Sequence, residues 1–129
     1  MQIEMLSLFT DRFAEMKRFY AEVLGFEIGT ELEKYVEFAG QGVRFALCER
    51  GVMADAVSPD HYGEPPTGSP VSLAFRCEDQ AAVESDFATL LAKGATQVRP
   101  PAVAPWGQYT AFFADPDGHV HELFCDVRG

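Results

Sequence analysis

The sequence of 129 residues predicts an α+β fold made of two tandem βαβββ modules. Three observations lead there. Residues 106–124, WGQYTAFFADPDGHVHELF, hold two alternating apolar runs joined by Asp-Pro-Asp-Gly, whose residue types suit a tight reversal, so the stretch reads as a β-hairpin. Each half of the chain also holds one stretch of helical period, opened by an aspartate and closed by a glycine. Finally, the punctuation repeats: Phe38-Ala39 before a turn matches Phe113-Ala114, and Gly42 closing that turn matches Gly118.

Taken in order, residues 2–9 alternate imperfectly, as in a strand covered on both faces. Thr10 or Asp11 can cap the helix that follows, where Phe13, Met16, Tyr20, Val23 and Leu24 recur at helical spacing and Gly25 offers a left-handed stop. Short strands are expected at 26–29, 35–39 and 43–48, with Gly40-Gln41-Gly42 turning between the last two. Residues 51–69, rich in proline and glycine, read as a linker with at most a helical turn near 53–56, and His61 and Tyr62 within it as surface residues. A strand at 71–77 then precedes a helix capped by Asp79, with Val83, Phe87, Leu90 and Leu91 on one face and a stop at Lys93-Gly94. A short strand at 97–99 leads to Pro100, Pro101 and Pro105, which exclude a central strand and favour a shaped loop before Trp106.

Modules 1–50 and 70–125 form a single domain, because a chain of this length, 47% hydrophobic, fills one core and is short for two independent ones. Helices outside and curved mixed sheets would then enclose a cavity of small-molecule size. A net charge of −10 is opposite in sign to the footprint of a nucleic-acid binder and disfavours anionic membranes. The sequence contains neither an apolar run of the ~20 residues needed to cross a bilayer nor a basic segment leading into a signal core, so a soluble cytoplasmic protein is expected. Cys48, Cys77 and Cys125 are odd in number and lack a Cys-x-x-Cys pair, which predicts buried free thiols. No phosphate-cradling glycine loop or nucleophile elbow is present.

Glu122 is the first functional candidate, a carboxylate between Val120 and Phe124 in a half-buried strand. Counting seven back from Asp11 and Asp79 pairs Glu4 with Ser72, and counting four on from Gly42 and Gly118 pairs Ala46 with Glu122. Alternation puts His119 and His121 on the face opposite Glu122, with His121 toward a helix and His119 exposed near the turn. Phe45, Phe75, Trp106, Tyr109 and Phe112 are candidates to wall a pocket. Glu4 and Glu122 either face the cavity or pair with a buried donor such as Arg44 or Arg76.

The helix ending FYAEVLGF, the second ending LLAKGA, and above all the hairpin WGQYTAFFADPDGHVHELF resemble the vicinal-oxygen-chelate superfamily of glyoxalase I, bleomycin-resistance proteins, fosfomycin-resistance enzymes and extradiol dioxygenases. The resemblance runs from Ile3 to Cys125. It implies metal ligands from four strand positions, which land here on Glu4, Ala46, Ser72 and Glu122. Ala46 cannot ligate and Ser72 offers only a neutral oxygen, so the metal site is incomplete, and two carboxylates with waters would hold a divalent ion only weakly. The resemblance therefore implies a protein like the bleomycin-resistance branch, binding a small organic molecule, with a cationic one favoured by the acidic balance. Glu4, Ser72, Phe45, Phe75, Trp106, Tyr109 and Phe112 would contact that ligand. The alternative is a divalent-metal-dependent lyase or isomerase of glyoxalase type, or a dioxygenase, with Glu122 as ligand and proton carrier. Related proteins pair as dimers, which sets the expectation of a homodimer.

Overall fold

Residues 1–127 are described in a computed structural model, in which the chain forms two compact units, Met1–Pro66 and Thr67–Gly129. In the first, the alternating stretch becomes β1 (Met5–Thr10), starting later than its pattern suggests. Helix α1 (Phe13–Arg18) buries Phe13 and Met16 and continues as a π-helical turn, Phe19–Val23, in which the Leu24 N–H donates to the Phe19 carbonyl at 3.0 Å. Gly25 then reverses the chain at φ +76°, a conformation that a side chain would strain. The helix begins at Arg12 without a side-chain cap. The expected caps do other work: Thr10 Oγ1 accepts from the Arg12 N–H at 2.9 Å, and Asp11 pairs with the buried Arg50 at 3.2 Å.

Strands β2 (Glu27–Leu32), β3 (Tyr35–Ala39) and β4 (Arg44–Glu49) complete a sheet of order β1-β4-β3-β2. Only β1 and β4 run parallel, because the helix carries the chain across between β1 and β2. The helix-side core is aromatic: Tyr20 lies 5.2 Å from Phe45 and 5.8 Å from Phe26, and Phe38 lies 5.9 Å from Phe45. The linker is more ordered than its composition suggests, with α2 (Arg50–Ala56) and α3 (Pro59–Tyr62) inside it. Tyr62 packs edge-on against Phe9, and His61 is exposed.

The second unit repeats the plan with β5 (Ala74–Arg76), α4 (Gln80–Ala92), β6 (Thr96–Val103), β7 (Gln108–Ala114) and β8 (Val120–Asp126), in the order β5-β8-β7-β6. Asp79 caps α4 as expected, accepting from the Ala82 N–H at 2.8 Å, and Val83 and Phe87 are its buried stripe. β5 is shorter than its apolar run. β6 is longer, running through Pro100 and Pro101 as an edge strand with register shifts at 97/99 and 99/102. Two missing N–H donors are tolerable there because one side of an edge strand has no ladder to feed. The two four-stranded mixed sheets with their helices are the predicted α+β architecture. Among the described residues, no helix is long and apolar enough to cross a membrane, and all three cysteines are buried free thiols.

Candidate functional site

Strand register decides which side chains share a face, because cross-strand partners point the same way. On the face of the first sheet turned away from its helix, Thr30, Glu37, Ala46 and Ser7 form one row across β2, β3, β4 and β1. The same row in the second sheet, across β6, β7, β8 and β5, is Arg99, Phe112, Glu122 and Ala74. Ala46 and Glu122 are thus equivalent, as the sequence count proposes. Glu4 and Ser72 are not. Ser7 matches Ala74, so Ser72 corresponds to Met5, and Glu4 stands one residue out of phase, exposed and ahead of β1. A slip of one residue exchanges the faces of a strand, and counting from Asp11 rather than from the true helix start at Arg12 introduces it.

The same parity test sorts the aromatic candidates. Phe45 is 3% exposed inside the helix-side cluster, Phe75 stacks on the buried Phe113 at 6.5 Å, and the Tyr109 hydroxyl reaches α4 to donate to Glu84 at 2.6 Å. All three are core or helix-facing and do not wall a pocket on the other face. Trp106 and Phe112 do. They meet edge to face at 6.5 Å and line a cavity of about 850 Å³ with Val98, Arg99, Val103 and Thr110. Trp106 is 60% exposed. Glu122 stands half-buried beside this cavity, across from Phe112 and two residues along β8 from the lining residue Val120. Val98 and Arg99 fall in the short strand expected at 97–99, but period alone does not put them on the cavity wall, and Val103 is missed because the expected strand ends before the prolines.

The first unit has a smaller hollow of about 330 Å³ lined by Thr30, Glu37, Arg44 and the turn at 40–42. Its charges are already satisfied. Arg44 grips Glu37 through two bonds of 2.9 and 2.8 Å, and the Tyr35 hydroxyl donates to the same carboxylate at 2.8 Å. The Arg44 bonds, supported by Tyr35, lower the Glu37 pKa to about 2. Arg76 is also committed, to Asp126 at 3.0 Å and to the Phe124 ring. Neither arginine is the partner of Glu122, whose carboxylate makes no hydrogen bond or ion pair within the described residues.

The hairpin turn holds the two remaining histidines. His121 is fully buried on the helix face, as alternation predicts, and its Nδ1 accepts from the Leu73 N–H at 3.0 Å while the Glu122 N–H donates to the Leu73 carbonyl at 2.9 Å. These two bonds fasten the lead-in to β5. His119, expected to be exposed, is 7% exposed instead, because Asp115 draws it in with a contact of 2.9 Å to Nδ1.

A divalent ion of the glyoxalase type needs three or four imidazole or carboxylate donors. The register-matched positions supply a thioether (Met5), a methyl (Ala46), a hydroxyl (Ser72) and one carboxylate (Glu122). No group of three or more His, Cys, Asp or Glu side chains suited to a metal occurs among the described residues. The residues present do not fit such a centre.

Comparison with known proteins agrees with the architecture. The family model described as Glyoxalase/Bleomycin resistance protein/Dioxygenase superfamily matches residues 2–123. No curated protein matches. Among solved structures, a glyoxalase/bleomycin resistance protein/dioxygenase from Nocardioides is 26% identical with a TM-score of 0.89, covering 99% of this chain and 85% of that one. A family enzyme from Burkholderia phytofirmans PsJN is 18% identical with a TM-score of 0.83, covering 96% and 98%. Lactoylglutathione lyase from Agrobacterium tumefaciens is 21% identical with a TM-score of 0.74, covering 95% and 92%. The last two likenesses show the fold alone.

Proposed function

Because the chain belongs to the glyoxalase/bleomycin resistance protein/dioxygenase superfamily, we propose that it binds a small organic molecule, without a metal centre, in the cavity of its second unit. The observation that carries this reading is the cavity of about 850 Å³ itself, walled by Trp106 and Phe112 and bordered by Glu122, a half-buried residue whose carboxylate has no partner among the described residues. Its volume suits a drug-sized ligand, and its lining is mostly apolar with a few polar groups to orient what enters. A planar body would stack on the Phe112 ring and meet Trp106 at its edge.

A metal-dependent lyase or dioxygenase would need donors that Met5, Ala46 and Ser72 do not provide. Binding and sequestration, rather than turnover, is therefore the proposed activity. Three buried free thiols suit a reducing compartment, so we place the protein in the cytoplasm. We also take it to act as a homodimer.

Thermal shift of chelator-treated protein against a panel of aromatic metabolites and cationic antibiotics tests the reading, with Ni, Zn, Mn and Mg added in parallel. The expected result is stabilisation by one or more organic compounds in chelator, at about 2.7 kcal/mol for a ligand at a hundred times its Kd, and no dependence on metal. If no compound stabilises the chelated protein and turnover or stabilisation appears only with metal, the proposal fails.

A further inference from the structure

We infer that the cavity of the second unit selects a dipolar molecule, one whose flat apolar body carries an anionic group at one end and a cationic group at the other. This deepens the function proposed above and rests on it. Arg99 in β6 and Glu122 in β8 are both register partners of Phe112 in β7, one on each side. The three therefore form a single row on one face: cation, ring, carboxylate. Neighbouring strands lie about 4.8 Å apart, so the two charged residues spring from backbones roughly 10 Å apart, with the ring between them.

Neither charge is used among the described residues. Among the described residues, the Arg99 and Glu122 side chains make no hydrogen bond or ion pair, whereas Arg44, Arg76, Glu37 and Glu84 all do. The first unit is an internal comparison. At the positions matching Arg99 and Glu122 it carries Thr30 and Ala46, and its own Glu37 and Arg44 neutralise each other. Open charges of opposite sign thus accompany the larger, aromatic-walled cavity and are absent from the same row of the other sheet.

Opposite charges on either side of a ring discriminate against ligands carrying only one charge. A purely cationic ligand lying over Phe112 meets Glu122 at one end and the like charge of Arg99 at the other; a purely anionic one meets the reverse conflict. A dipolar ligand satisfies both, and charge-assisted hydrogen bonds to a guanidinium and a carboxylate are stronger than neutral ones.

Trp106, the only tryptophan, lies in the cavity wall and reports occupancy by its emission. The probes are para-(aminomethyl)phenylacetate, its methyl ester, its N-acetyl derivative and the doubly blocked compound, each titrated into the full chain. The dipolar parent is expected to bind about tenfold more tightly than either singly blocked probe. In Arg99→Gln the parent and its ester should bind alike; in Glu122→Gln the parent and its N-acetyl derivative should. Melting temperatures close to wild type confirm that both variants are folded. Singly blocked probes binding within about twofold of the parent in the wild type, or variants that leave the ranking unchanged, overturn the dipolar preference while the cavity reading stands. If none of the four probes changes Trp106 emission, the dipolar preference falls, while the cavity reading is decided separately by the thermal-shift panel.

Discussion

Asp115 accepts backbone N–H bonds from Asp117 at 3.0 Å and His119 at 2.9 Å through one oxygen, and meets His119 Nδ1 at 2.9 Å through the other. A carboxylate 3% exposed with that many donors closes the reversal that Gly118 permits at φ +90°. The Asp115 hydrogen bond raises the His119 pKa above its ordinary 6.5, against an opposing effect of burial. A group whose folded pKa is raised lends stability that is fully present below its unfolded value and is lost as pH rises through the folded one. Asp115→Asn should therefore cost about 1–3 kcal/mol at pH 5.5, with a smaller difference from wild type at pH 9, read by urea denaturation at both. Glu37, held to about 2, does not titrate in that window. A pH-independent difference would show that His119 contributes nothing as a cation. The burial of His121 was legible from its alternation with Glu122. That of His119 was not, because a turn position is buried only when a side chain such as Asp115 draws it in.

At the scale of elements, two aspartates with the same position in the sequence pattern have different duties. Asp79 caps α4 directly, whereas Asp11 makes no cap and instead holds Arg50 at the start of α2. Asp79→Ala should accordingly cost about 1 kcal/mol, with the denaturant slope unchanged, by loss of one N-terminal acceptor. A loss below about 0.3 kcal/mol would mean that water caps the helix as well as the carboxylate does. The confusion of the two aspartates also explains how far the candidate site could be read. Period alone finds the hairpin, both helices and the equivalence of Ala46 with Glu122. It cannot say which face of a strand meets a helix, so Phe45, Phe75 and Tyr109 looked as promising as Phe112. Nor does it fix phase at a strand end, where one residue separates Glu4 from the row that Ser7 occupies. Proline lowers strand propensity in general but not the tolerance of an edge, and so the continuation of β6 through the prolines to Val103 was hidden, and with it the pairing of Arg99 with Phe112.

For the whole molecule, the proposed homodimer has to form against its own charge. Each copy carries −10, and two such copies repel at low ionic strength. The sheets end in four edge strands, three of which carry devices that discourage pairing with another chain: prolines and register shifts in β6, Glu27 and Glu31 with a shift in β2, and a length of only three residues in β5. β1 has six residues, no proline, no charged side chain and no shift, which makes it the edge least defended by such devices. If association runs through an apolar surface of this kind, screening should strengthen it. The Debye length falls from about 30 Å at 0.01 M salt to about 10 Å at 0.1 M, so repulsion spread over the surface is weakened while apolar burial is not. Light scattering on the eluting protein should then give the mass of two chains at moderate salt and a lower average mass at low salt and high dilution. One chain's mass under both conditions would dispose of the dimer, and a dimer that weakens with added salt would point to a polar, ion-paired interface instead.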